Sequence, residues 1–131
     1  STQFISQVAL NVSSYPSSGR GASFSSPVTD VTWSQNKNNS GWSFDVEIDL
    51  TSAGPSRLKP GQSTTLSLMG SGLSASHFMA LSPGTTDVYG LMHVQSTSNG
   101  QSIKLKPVPE PATMLGLAIG ASALLRRRRA R

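Results

Sequence analysis

The segment Trp42-Ser43-Phe44-Asp45-Val46-Glu47-Ile48-Asp49-Leu50 decides the fold class. Its apolar side chains alternate with polar ones, and a period of two is typical of a β-strand with one buried and one solvated face. Similar stretches recur along the chain, separated by clusters of Gly, Pro, Ser and Asn, and no amphipathic helix precedes residue 108. We therefore predict an all-β body that folds as a small antiparallel β-sandwich.

The same pattern predicts five further strands around this segment. They cover residues 4–12, 28–33, 63–69, 87–95 and 101–106. The first strand has an apolar face, interrupted by Ser6, that consists of Phe4, Val8, Leu10 and Val12. Residues 13–26 and 34–41 are predicted to be loops, and Phe78 in the turn region 70–81 is expected to plug the core. Asn99-Gly100 is the strongest hairpin signal.

Composition limits the size of the domain and its partners. The chain has 131 residues, of which 36% are hydrophobic, so it can bury one modest core. It contains no cysteine, which excludes disulfides and cysteine-based metal sites. The net charge of +5 comes from Arg126–Arg129 and Arg131, since the rest of the chain carries six basic and six acidic residues. We therefore predict no nucleic-acid partner.

Three groups of side chains in the body are candidates for chemistry. Asp45, Glu47 and Asp49 share one side of their strand, and we favour an ordinary solvated face over a calcium site or an acid–base pair. His77 and His93 are too few for a zinc site, and no Gly-x-Ser-x-Gly elbow accompanies them. We predict no metal site, no catalytic residue and no cofactor, and a small hydrolase is the least favoured function.

Trp33 and Trp42 flank the predicted hairpin loop. Exposed tryptophans on a sandwich are stacking platforms for sugars, so a carbohydrate-binding module is an alternative function. Packing near the core is the commoner role of such residues, and we favour it here.

The C-terminal stretch from residue 108 reads VPEPATMLGLAIGASALLRRRRAR and has three parts. Pro109 and Pro111 hold Glu110 in extended backbone. The next 14 residues, 112–125, carry no charge and would make a helix of about 21 Å. Arg126, Arg127, Arg128 and Arg129 follow, and they can snorkel to the interface and stay on the cytoplasmic side.

A helix of this length is shorter than the bilayer core of about 30 Å, so a buried soluble helix competes with a short transmembrane one. We favour the transmembrane helix because the segment is apolar nearly all round and its basic residues stand at one end. Gly116 and Gly120 have the spacing of a helix-packing motif. The lipid-facing candidates are Ala112, Leu115, Gly116, Leu117, Ile119, Gly120, Leu124 and Leu125.

The order of the Pro-Glu-Pro motif, the apolar helix and the arginine cluster resembles the PEP-CTERM sorting signal of exported bacterial proteins. The resemblance implies export across the inner membrane, transient anchoring by the tail and recognition of Pro109, Glu110 and Pro111 by an exosortase. Residues 4–12, 76–78 and 93–95 are similar to the short β-domain of many PEP-CTERM proteins. That second resemblance implies another strand ahead of Ser1, hence an open sheet edge and self-association through it.

We thus predict two regions: an exported β-sandwich-like domain at 1–107, which lacks an N-terminal strand if the second resemblance holds, and a sorting tail at 108–131. The expected function is that of a non-enzymatic cell-envelope or biofilm-matrix protein. Its precursor would lie in the inner membrane with the body outside, and the processed protein at the cell surface or outside the cell. The expected partners are the inner membrane, an exosortase, and exopolysaccharide or other envelope proteins.

Overall fold

The computed structural model describes residues 3–82, 88–96 and 103–105, the last three as backbone only. Within these ranges the chain forms seven strands and two short 3₁₀ helices. The strands are β1 Phe4–Leu10, β2 Gly21–Ser23, β3 Val28–Asn39, β4 Trp42–Leu50, β5 Ser67–Met69, β6 Gly90–Gln95 and β7 Ile103–Leu105, and the 3₁₀ helices are Gly54–Ser56 and Ala75–Met79.

The strands form two antiparallel sheets. The larger sheet has the order β3-β4-β1-β6-β7, and the smaller one pairs β2 with β5. The prediction of an antiparallel, strand-rich fold is therefore confirmed for the described residues. The predicted transmembrane helix at 112–125 lies outside them.

β1 is at the centre of the larger sheet, paired with β4 on one side and β6 on the other. The edge strands of the described sheet are β3 and β7. The described sheet thus has no vacant position beside β1. A further strand ahead of Ser1, and self-association through an open edge, stay predictions.

The main hydrophobic core lies on the face of β4 that the alternation predicted. Val46, Ile48 and Leu50 are buried there together with Val28 of β3. Leu68 of β5 and Phe78 of the second 3₁₀ helix pack against this cluster, so the smaller sheet and the turn region contribute to one core. The predicted role of Phe78 is confirmed.

A bulge in β1 changes the face that the sequence predicted. The register between β1 and β6 shifts between Ile5 and Gln7, so Ser6 is an extra residue. The alternation inverts there, and Ile5 packs on the same core as Val8 and Leu10. The prediction that Phe4 shares this face was wrong. Phe4 is instead buried beneath the guanidinium of Arg57, which lies 4.3 Å from the ring centroid.

A second irregularity moves Phe44 away from the main core. Between the paired positions Trp33–Val46 and Lys37–Phe44, β3 contains two more residues than β4. Beyond this bulge Phe44 joins a second cluster, formed with Ala9, Val88 and Leu91. The prediction that Phe44 and Val46 contribute to one face was therefore wrong, because the alternation of β4 breaks at Asp45. Phe44, Asp45 and Val46 are buried in succession where the register with β3 shifts.

The hairpin that connects β3 and β4 is tighter than predicted. Residues 34–39, expected to be loop, continue β3, and the turn consists of Ser40 and Gly41 alone. Both residues have positive φ, 58° and 91°, as a two-residue type I′ turn requires. Likewise the predicted loop 13–26 contains β2, a three-residue strand without a sequence pattern of its own.

Gly41 provides a test of this turn. Gly41→Ala should lower the free energy of unfolding by about 1 kcal/mol, because an L side chain is unfavourable at positive φ. No atom lies within 4 Å of the added Cβ, so the loss would come from the backbone conformation and not from a steric clash. Urea unfolding of the full chain in detergent, followed by tryptophan fluorescence, measures the change. Ser40→Gly is the matched control and should cause no loss, and an unchanged midpoint for Gly41→Ala would refute the turn.

The C-terminal strands are shorter than predicted. The segments 63–69, 87–95 and 101–106 contain β5, β6 and β7, which are three, six and three residues long. β6 and β7 pair antiparallel, as expected of a hairpin. The turn predicted at Asn99-Gly100 lies outside the described residues.

Candidate functional site

The acidic residues of β4 are the first candidates whose surroundings the structure describes. Asp45 is buried, with only 4% of its surface exposed. Its Oδ2 accepts a hydrogen bond from the amide of Val12 at 3.1 Å, and its Oδ1 accepts one from the amide of Asn36 at 2.9 Å. The predicted solvated face was therefore wrong at Asp45, because this carboxylate pairs with two backbone donors.

The two donors explain why an acid is needed at this position. Asn36 lies in the β3 bulge with φ 55°, and Val12 lies two residues after the end of β1. Amides at a bulge and beyond a strand end have no regular ladder acceptor, and an unpaired buried amide is costly. Asp45 thus joins three elements. The sequence contains no signal that distinguishes it from Glu47 and Asp49.

Glu47 and Asp49 belong to a polar network on the other side of the sheet from the main core. Lys37 Nζ donates to Glu47 Oε1 at 3.0 Å. Asn39 Nδ2 donates to Glu47 Oε2 at 3.3 Å and to Gln7 Oε1 at 3.0 Å, and Gln7 Nε2 donates to Asp49 Oδ1 at 2.9 Å. These acids bind neighbouring side chains, and the network ties the end of β3 to β1.

The histidines have separate surroundings. His77 Nδ1 accepts the amide of Ser74 at 3.2 Å and so caps the second 3₁₀ helix. His93 lies on β6, opposite Gln7 of β1 and Lys104 of β7. In the part of the chain that the structure describes, no group of three or more His, Cys, Asp or Glu side chains is placed to hold a metal ion.

The two tryptophans pack on different hydrophobic clusters. Trp33 is half-buried against the main core, its Nε1 donates to the carbonyl of Gly21 at 3.0 Å, and the ring of Tyr15 meets it edge-on at 6.1 Å. Trp42 is half-buried against the cluster that contains Phe44. The two rings therefore do not form one platform on one face. Stacking of a sugar on either ring stays a prediction.

An open pocket of about 350 Å³ lies between β1, β6 and the segment 58–62. Its apolar walls are formed by Phe4, Ile5, Leu58, Met92 and Val94. Among the described residues that line this pocket there is neither an acid nor a histidine.

The C-terminal tail follows directly from an edge strand. β7 ends at Leu105, which is opposite Met92 of β6, and Pro109 is only four residues further along the chain. Of the helices within residues 3–82 and 88–96, none has the length and apolar character to cross a membrane. Residues 106–131, which include every candidate residue of the tail, lie outside the described ranges.

Comparison with known families decides what the tail is. A family model described as the PEP-CTERM protein-sorting motif matches residues 107–129. This chain carries a PEP-CTERM sorting motif. The match includes Pro109, Glu110 and Pro111, the uncharged segment 112–125 and the arginines at 126–129. The resemblance of the tail to this sorting signal is thereby confirmed, while the similarity of residues 4–12, 76–78 and 93–95 to a β-domain of such proteins stays a prediction.

The PEP-CTERM motif supports recognition by an exosortase and association of the precursor with a membrane. It does not extend into the β-domain, which ends at Leu105 in the described residues. No curated protein and no solved structure matches the chain significantly.

Proposed function

We propose that this chain is an exported, non-enzymatic cell-envelope or extracellular-matrix protein whose PEP-CTERM tail anchors the precursor and is then removed by an exosortase. The match of the sorting motif to residues 107–129 is the observation that carries the proposal. The body is the cargo, and the tail determines where it is delivered.

The three parts of the tail have separate proposed roles. Pro109, Glu110 and Pro111 are the recognition motif, presented in extended backbone on the outer side of the inner membrane. Residues 112–125 enter the bilayer as a short helix. Arg126, Arg127, Arg128 and Arg129 remain on the cytoplasmic side, where the positive-inside rule places them. Their side chains lengthen a helix that is otherwise too short to span.

The composition of the body supports a delivered structural protein. Outside the five C-terminal arginines the chain carries six basic and six acidic residues, so no excess charge draws it to nucleic acid. The acids of β4 are used in structural hydrogen bonds, and the described lining of the apolar pocket contains neither an acid nor a histidine. Envelope polymers, including exopolysaccharide, are the proposed surroundings of the processed domain.

A comparison of two hosts tests the proposal. The full precursor, tagged in the body, is expressed in an exosortase-positive bacterium and in its exosortase deletion strain. We expect a membrane-bound species that retains the tail in the deletion strain, and a lighter species without the arginine cluster in the parent. Intact-mass measurement distinguishes the two. The same tail-retaining species in both strains would refute processing, and absence from the membrane fraction in the deletion strain would refute anchoring.

A further inference from the structure

The sheet topology determines the end of the domain from which the tail departs. β1 ends at Leu10, which is opposite Gly90 at the beginning of β6, and β7 runs parallel to β1. The chain therefore leaves β7 toward the end of the larger sheet that contains Leu10 and Gly90, which we name the exit end. β3 begins at the opposite end, where Val28 pairs with Leu50.

Two exposed apolar side chains lie at this exit end. Among the described residues, the exposed large hydrophobic side chains are Phe24, Met69, Met79 and Leu81. Met79 is 70% exposed and Leu81 is 41% exposed. The carbonyl of Leu81 accepts a hydrogen bond from Asn11 Nδ2 at 3.0 Å, and the amide of Ser13 donates to the carbonyl of His77 at 2.9 Å. Residues 77–81 are thus held against the segment that follows β1.

Chain length limits how far this end can lie from the membrane segment. Leu105 lies at the level of Val8, because both are opposite Met92 of β6. Asn11, at the exit end, is three residues after Val8, so the exit end lies about 10 Å beyond Leu105 along the strand direction. Ala112 is seven residues after Leu105, at most about 25 Å of fully extended chain. Ala112, the first residue of the uncharged segment 112–125, can therefore lie no more than about 15 Å beyond the exit end.

The charges of the described residues do not oppose contact with lipid at this end. Asp45 is buried and bonded to two amides, and Glu47 is paired with Lys37. Asp30 of β3 lies opposite Asp49 of β4 in the strand register, and Asp49 lies opposite Gln7 of β1. Both acids are therefore toward the other end of the sheet. Insertion of Met79 and Leu81 into lipid would therefore not desolvate an exposed carboxylate among the described residues.

We propose that Met79 and Leu81 enter the interface of the lipid bilayer while the precursor is anchored, so that the domain rests on the membrane by its exit end. This proposal depends on the proposed anchoring by the tail. Two side chains bind lipid only weakly by themselves, but the short tether keeps them at a high effective concentration beside the surface. The contact would orient the body while the motif is recognised.

Site-specific fluorescence tests the contact, since the chain has no cysteine of its own. Met79→Cys and Leu81→Cys are each made in the full chain, labelled with nitrobenzoxadiazole and reconstituted into phosphatidylethanolamine–phosphatidylglycerol vesicles. Phe24→Cys is the matched control, because Phe24 is 40% exposed and adjoins Ser25, whose carbonyl accepts the amide of Val28 at the opposite end. All three positions are exposed, so the label should not disturb the core.

We expect a blue-shifted emission at 79 and 81, and quenching by doxyl-labelled lipid that is several-fold stronger there than at 24. Co-flotation of the protein with the vesicles reports the anchoring separately. If the protein floats but 79 and 81 are quenched no more than 24, the proposal is wrong while the anchoring stands. A shift that appears only when exosortase is added would assign the surface to the enzyme and also overturn contact with lipid. Failure to float would overturn the anchoring and the contact together.

Discussion

Asp45→Ala is expected to lower the free energy of unfolding by about 3 kcal/mol, the largest stability change that we predict. The substitution removes both acceptors: the bond from the Val12 amide is buried, and the bond from the amide of Asn36, an exposed residue, is partly buried. Hydrogen bonds to a charged acceptor contribute more than neutral ones, and the buried Val12 amide would remain without a partner. Urea unfolding of the full chain in detergent, followed by the fluorescence of the half-buried Trp33 and Trp42, measures the loss.

Two further variants make this prediction specific to the carboxylate. Asp45→Asn keeps one acceptor oxygen of similar shape and should lose roughly half as much stability. Asp30→Ala removes an exposed acid from the neighbouring strand and should change stability by no more than about 0.5 kcal/mol. Equal stability of Asp45→Ala and Asp30→Ala would show that the buried carboxylate does not hold the bulge.

Glu110→Ala in the full precursor is expected to abolish removal of the tail in an exosortase-positive host. Glu110 is the only charged residue between Lys106 and Arg126, and two prolines keep it in extended backbone. An enzyme that recognises this motif loses its charged contact when the side chain is truncated. The intact mass of the protein should then equal that of the tail-retaining precursor found in the exosortase deletion strain.

The control for this experiment is an acid in the folded domain. Asp30→Ala removes one negative charge from the body and should be processed as the unmodified precursor is. Glu110→Gln keeps the size of the side chain and removes its charge, so retention of the tail in this variant would identify charge as the feature recognised. Normal processing of Glu110→Ala would exclude Glu110 from the recognition motif.

Much of the β-domain was predictable because its strongest signals are local. The strand at 42–50 appears with the predicted bounds, and Val46, Ile48 and Leu50 are buried on one face. Phe78 packs on the core as expected of a large aromatic residue in a polar turn region. These features depend on alternation and hydrophobicity within a few residues, and both can be read directly from the sequence.

The two errors about the face on which a side chain lies share one physical cause, which is irregular strand pairing. Ile5 replaces Phe4 on the main core because Ser6 bulges against β6, a strand more than eighty residues away. Phe44 leaves the main core because the alternation of β4 breaks at Asp45, where its register with β3 shifts. Whether a residue is extra depends on the partner strand, so alternation within either strand does not reveal a bulge.

The sequence by itself determined that the body is built of antiparallel strands and that the tail carries a PEP-CTERM sorting motif, which is recognised in the order of its residues. Only the tertiary structure decided that Asp45 is a buried acceptor, and that Met79 and Leu81 lie at the end of the sheet toward which β7 runs. A sorting motif and an alternating strand are encoded by neighbouring residues. The burial of a carboxylate and the position of a loop depend on contacts between residues that only folding brings together.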